Sequence, residues 1–175
     1  TLVEEVESPT AVYLGIMKKN GIPMNLSLMQ QRKTEAEAEM ERLRKEISFI
    51  IGDVNIGANC STQAFKNYLY RDLHLPVLKT TETNREAADD MAMTLLKEWC
   101  DKNRPEMSKL FTLVQEYRKW GKIKSTYIDG YLKYVNAVTG RIHPEIFALS
   151  TDTGRMNCRK PNAQNMPRKT NDPVG

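Results

Sequence analysis

From Leu26 to Ile51 the apolar residues Ala36, Met40, Leu43, Ile47 and Ile50 recur at steps of four, three, four and three. That is the period of a seam along which one helix lies against another, narrower than the face of a helix resting on a broad core. Asn25 is a capping residue at the near end and Gly52 a left-handed stop at the far end, so the pattern predicts one long helix over 26–51. A second seam, Met107, Leu110, Val114 and Tyr117, follows Pro105, and Leu95 and Trp99 extend the apolar theme upstream. The two long helices are expected to pack antiparallel, as an arm. A smaller helical cap, "NCSTQAFKNYLYRDLHLP", joins them, starting near Ser61 and stopping before Pro76. The polar, aperiodic "KTTETNREA" then reads as an exposed loop at the tip. Ahead of the arm, Ser8-Pro9 opens a helix that Asn20-Gly21 closes, and "IPMN" is a short extended link.

Several classes of protein are excluded by what the chain lacks. Its 175 residues are 40% hydrophobic, enough for a packed core. No run approaches the ~18 apolar residues of a membrane helix, and the first residues carry no signal-peptide core. The three cysteines (Cys60, Cys100, Cys158) form no C-x-x-C pair, and the histidines are His74 and His143 alone. Neither a disulfide framework nor a zinc site is expected. The reading is an intracellular protein without structural metal.

After Lys124 the pattern changes. "YLKYVNAVTGRIHPEIFA" alternates around Thr139-Gly140 and predicts a hairpin. Then comes "TDTGRMNCRKPNAQNMPR"; from Arg155 to the last residue, Arg155, Arg159, Lys160, Arg168 and Lys169 stand against the single acid Asp172. A second basic cluster, "RKWGKIK", covers Arg118 to Lys124, whereas "EAEAEMERLRKE" mixes signs as a solvated face does. Two basic clusters beside amide-rich tracts point to a polyanion. Reacting groups are scarce: the hairpin and the C-terminal tract hold only Glu145, Asp152 and Asp172, at unrelated spacings, and no nucleophile elbow, phosphate-loop lysine or His/Cys dyad is present. Arginine and amide donors suit the minor groove, where every base pair offers acceptors at nearly the same places, so they read pairing and ignore sequence.

These residues carry a resemblance. "TGRMNCRKPNAQNMPR" is similar to the segment of family A DNA polymerases, the bacterial DNA polymerase I type, that follows the thumb and precedes the first catalytic motif. Thr153-Gly154-Arg155 and Pro161-Asn162-Ala163-Gln164-Asn165-Met166-Pro167 match the family's T-G-R and P-N-x-Q-N-x-P without a gap. "KIKSTY" (Lys122 to Tyr127) resembles the element leaving the thumb, "TGRIH" (Thr139 to His143) the hairpin after it, and "ESPTAVYLGIMKKNGIP" the thumb entry. The resemblance implies a mainly α fold: a long antiparallel helical arm as thumb over 1–127, entry helix included, then a small β-hairpin element and an incomplete palm segment over 128–175. It implies that Arg155 reaches the minor groove at the primer terminus, with Asn162, Gln164 and Asn165 on the nearby duplex. Lys122, Lys124 and Ser125 would hold the product duplex. Arg168 or Lys169 would supply the basic position after the last proline. Asn59, Ser61, Thr62, Lys79, Asn84 and Arg85 would meet phosphates at the thumb tip.

The sequence also departs from the family. "TNREAADD" replaces the usual lysine and serine/threonine pattern at the tip, Asn157 and Cys158 stand where serines are common, and Lys160 stands for an acid. These departures resemble phage-type members. The expectation is therefore a fragment of a DNA-directed DNA polymerase that binds primer-template DNA, is not catalytic by itself, and needs no cofactor. Magnesium and deoxynucleotides would belong to the full-length enzyme, a monomer of the bacterial or host cytoplasm with no membrane partner. The alternatives are a stand-alone helical nucleic-acid-binding module and a coiled-coil scaffold with a polar tail.

Overall fold

The computed structural model describes residues 4–5, 8–148 and 155–166. Along the chain lie α1 (Ser8–Asn20), β1 (Ile22–Pro23), α2 (Leu26–Ile51), α3 (Gln63–Asn67), α4 (Asp90–Asn103), α5 (Pro105–Lys122), α6 (Asp129–Leu132), β2 (Arg141–Ile142), β3 (Glu145–Phe147) and β4 (Asn157–Arg159). Wider π-type turns continue α3 over Tyr68–Asp72 and α5 over Ile123–Ile128. The fold is mainly α, and it divides into two compact units, residues 34–124 and residues 1–33 with 125–175.

The 34–124 unit is built on α2, α4 and α5. Asn25 Oδ1 accepts from the Leu28 N–H at 3.0 Å and starts α2, while Gly52 at φ +70° ends it, at the expected residues. Glu37 meets Lys124 at 3.4 Å, Met40 approaches Gly121, and Glu46 lies 3.8 Å from Lys109. Numbers rise on one helix as they fall on the other, so α2 and α5 run antiparallel as predicted. The same holds for α4 and α5, matched through Asp101 with Ser108, Thr94 with Gln115 and Asp90 with Arg118. With a partner on each side, α5 buries Leu110, Phe111, Leu113, Val114, Tyr117 and Gly121, a wider stripe than the two-helix seam expected. On α4 the inward residues are Met93, Leu96 and Cys100, one position on from the expected Leu95 and Trp99. Phe65, Leu69 and Tyr70 close this core from the cap.

In the other unit, Gly21 turns the chain sharply at φ +63°, and a Cβ there would stand 2.6 Å from the Ile142 carbonyl oxygen. β1 then pairs antiparallel with β2, Ile22 opposite Ile142 and Pro23 opposite Arg141. Arg141 Nε donates to the Asn20 carbonyl at 2.7 Å and His143 Nδ1 to that of Lys18 at 2.8 Å, satisfying orphan carbonyls at the end of α1. The hairpin expected around Thr139-Gly140 is corrected to a turn closed by a single Val135–Ile142 bridge. Residues 129–132 are helical, and β1 takes the pairing edge of β2 instead. Lys33 and Asp129 form an ion pair at 2.7 Å in this unit.

Candidate nucleic-acid interface

The C-terminal tract is cross-braced by its own polar groups. β3 and β4 pair Glu145 with Arg159, Ile146 with Cys158 and Phe147 with Asn157. The chain then bends at Lys160, φ +52°. The buried Cys158 thiol donates to the Pro161 carbonyl at 3.5 Å and accepts from the Ala163 N–H at 3.4 Å, a pairing that a serine at this position could also make. Asn162 Oδ1 accepts from the Gln164 N–H at 3.1 Å and starts a 3₁₀ turn over Ala163–Asn165. Gln164 Nε2 donates to the Met156 carbonyl at 3.2 Å, and the buried Tyr131 hydroxyl to that of Asn162 at 2.8 Å. Asn162, Gln164 and Asn165 nonetheless stay exposed, and Arg155 is exposed at the start of the segment. The Asn162 amide keeps two N–H donors and Gln164 keeps one.

A cleft of 290 Å³ runs beside this turn, lined by Ser125, Tyr134, Lys160, Asn162 and Asn165 among others. It gathers three of the sequence-predicted residues, Ser125, Asn162 and Asn165, from distant points of the chain. Lys160 faces Glu145 at 3.6 Å and Lys133 lies over the Tyr134 ring at 5.1 Å, so two cations flank the cleft. Exposed ion pairs of this kind are held weakly. Arg168 and Lys169 lie outside the described residues.

The remaining predicted residues belong to the 34–124 unit. Thr62 is a structural cap: Oγ1 accepts from the Phe65 N–H at 3.2 Å, and its hydrogen goes to the Asn55 carbonyl. Asn59 and Ser61 beside it are exposed. The tip loop is a tight turn. Thr80 bridges Glu86, the Thr81 N–H donates to the Arg85 carbonyl at 2.8 Å, and Asn84 sits at φ +55°. Asn84 and Arg85 are exposed at its end. Lys122 is exposed, and Lys124 is the partner of Glu37 noted above.

Lys79 is held at 2.5 Å by Asp89, whose other oxygen caps α4 by accepting from the Ala92 N–H at 2.9 Å. These bonds, the Lys79 one first, hold the Asp89 carboxyl below its ordinary range. A depressed folded value means that its contribution is present above the unfolded value of ~4 and fades as pH falls through the folded one. Asp89→Ala is expected to lower stability at pH 7 by ~1 kcal/mol, as loss of a cap does, and to leave the unfolding midpoint less sensitive to acid below pH ~4. Urea titrations of both proteins at pH 7 and pH 3 check this.

Arg118, within the second basic cluster, is not a surface charge. Its side chain is 10% exposed, and the guanidinium bonds the carbonyls of Asn59 (2.8 Å), Cys60 (2.9 Å) and Ala88, with Asp90 at 3.0 Å. The signal for this was present: Val114, Arg118 and Gly121 stand four and three apart on the buried stripe of α5. Cys60, beside it, is buried, and desolvation pushes its thiol up to about 11 against the opposing pull of Arg118. Tyr131 and Cys158, which fix the donor turn, were likewise not singled out by sequence reasoning for that role.

The profile of DNA polymerase family A matches residues 26–174. The chain belongs to that family. It is 31% identical over 167 residues to DNA polymerase I of Geobacillus stearothermophilus, covering 95% of this chain and 18% of the relative. It is 31% identical over 176 residues to the thermostable DNA polymerase I of Thermus thermophilus, covering 99% and 20%. Among solved structures it is similar to the POL domain of Pol1 from M. smegmatis in complex with DNA primer-template and dNTP. The TM-score there is 0.79 and the identity 26%, over 97% of this chain and 28% of that one. The chain thus spans about a fifth of the length of the curated polymerases it matches. The magnesium that the family implies finds no donor set here: among the described residues no three His, Cys, Asp or Glu side chains converge, and Glu145 is turned to Lys160. No helix among the described residues is long and apolar enough to cross a membrane.

Proposed function

We propose that this chain is the DNA-gripping part of a family A DNA-directed DNA polymerase, with residues 1–127 as entry helix and thumb and residues 128–175 as the start of the palm. The observation that carries the reading is the exposed turn from Met156 to Asn165. Its backbone is braced by Cys158 and Tyr131, and the side-chain amides of Gln164 and Asn162 are fixed by the Met156 carbonyl and the Gln164 N–H, yet both amides keep donors for a partner. Donors held by a scaffold lose little entropy on meeting the purine N3 and pyrimidine O2 acceptors of a minor groove.

Arg155, Asn162, Gln164 and Asn165 read the pairs nearest the primer terminus. Ser125, in the cleft beside them, holds the backbone with Lys122 and Lys124, and Arg168 and Lys169 extend the grip. Asn59, Ser61, Lys79, Asn84 and Arg85 meet phosphates of the duplex. The contribution of Thr62 is its cap. Magnesium and deoxynucleotides act with the longer enzyme, a monomer of the cytoplasm, in replication or repair. The 175 residues alone bind DNA and do not extend it.

Binding to a fluorescein-labelled primer-template duplex tests this. Affinity is expected to be weak, indifferent to sequence, and to fall linearly on logarithmic axes as salt rises, with a slope of about −0.9 per phosphate contacted. A salt-insensitive affinity, or a marked preference for one sequence, overturns the reading. Primer extension by this chain with magnesium and all four nucleotides overturns its non-catalytic part.

A further inference from the structure

The Arg118 guanidinium joins two segments that are far apart in sequence and share one property. The segment at Asn59 and Cys60 leads directly into exposed Ser61. Ala88, bonded by the same group, lies at the base of the turn that carries Asn84 and Arg85. That base is a short ladder in which the Ala87 N–H donates to the Lys79 carbonyl at 3.1 Å and Thr80 bridges Glu86. Tyr70 holds the base from the core side, its hydroxyl donating to the Ala87 carbonyl. Arg118 is anchored on α5, and Asp90 on α4 fixes its remaining edge. Such a fork, with five N–H donors in one plane, fixes the spacing and the relative orientation of the carbonyls it joins. A lysine ammonium on a flexible stem does not.

We propose that Arg118 is a positioning residue that sets the distance between the Asn59–Ser61 segment and the Asn84–Arg85 turn, so that both meet phosphates of one duplex together. The inference rests on the reading that this chain grips DNA. Arg118 itself touches no DNA. It holds two separate segments as one bivalent surface, and preorganisation of this kind acts on affinity without adding a contact.

The test compares the whole 175-residue chain with Arg118→Lys, Arg85→Ala and the double variant, using the same labelled duplex at several salt concentrations and at a temperature well below melting. Arg118→Lys keeps the charge and part of the carbonyl pairing. Circular dichroism is expected to show its helices intact while DNA affinity falls about fivefold and the salt slope loses about one phosphate contact. Arg85→Ala is expected to weaken binding about threefold in the wild type, and hardly at all once Arg118 is lysine, because neighbours in one network are not additive. Tyr70→Phe releases the same ladder from the opposite side and is expected to reduce the Arg85 dependence likewise. This variant keeps the proposal testable if Arg118→Lys melts too low.

Wild-type affinity and slope in folded Arg118→Lys overturn the proposal. So does an equal loss from Arg85→Ala in both backgrounds. If Asn59→Ala and Arg85→Ala leave binding unchanged, the proposal falls while the wider reading stands on Arg155→Ala and Gln164→Ala. If those two variants also bind as the wild type, the wider reading falls with it.

Discussion

Phe111→Ala is expected to destabilise the chain by about 3–5 kcal/mol, the range for deleting a fully buried aromatic ring. Phe111 is 0% exposed on α5, and its neighbours on the buried stripe, Leu110, Leu113 and Val114, belong to the same core cluster. α5 lies between α2 and α4, so neither partner can move into the space without leaving the other, and the cavity should stay open. Phe49 supplies the control. It sits on α2 and is 93% exposed, so Phe49→Ala is expected to change stability by less than ~0.5 kcal/mol. Urea unfolding followed by circular dichroism measures both. A loss below about 2 kcal/mol for Phe111 would mean that the three helices collapse into the gap and that their packing is looser than described.

Arg155→Ala in the complete polymerase is expected to slow nucleotide incorporation by about tenfold or more while DNA affinity falls less. A guanidinium offers several donors and stays charged, so it can bond a base-edge acceptor and a sugar oxygen together. A hydrogen bond to a charged group contributes roughly 1.5–3 kcal/mol, and removing it leaves a desolvated acceptor unpaired. At a primer terminus that contact matters most when the 3′-hydroxyl is aligned for attack. Replacing N3 of the terminal purine by carbon should slow the wild type and hardly affect the variant. Equal slowing of both would remove Arg155 from the minor groove.

The parts legible in the sequence were those encoded locally. α2 begins and ends at the expected residues because a capping amide and a positive-φ glycine mark its ends, and its 4-3 spacing survives as Ala36, Leu43 and Ile47, each 0% exposed. The antiparallel match of α2 with α5 followed from two seams of similar length. The width of the α5 face did not, because a third helix shows only in three dimensions. The pairing of β1 with β2 was invisible, since two-residue strands carry no alternation and their partners are more than a hundred residues apart. In the candidate site the sequence displays a wealth of donors, but it does not say whether a donor is already in use. Thr62 and Arg118 are engaged inside the fold, and Lys79 is engaged by Asp89. Asn162 and Gln164 use one group each to shape the turn and keep others.

The ion pair between Lys33 and Asp129 has an architectural consequence. Lys33 is where the chain departs from the discontinuous unit, and Asp129 stands just after its return. An excursion that leaves and re-enters at one point behaves as an insert: its host is already closed, here by the pairing of β1 with β2. Doubling the length of such an excursion adds only ~0.6 kcal/mol of closure entropy. A change of length within residues 34–124, away from their two ends, is therefore expected to leave the pairing of Ile22 with Ile142 in place.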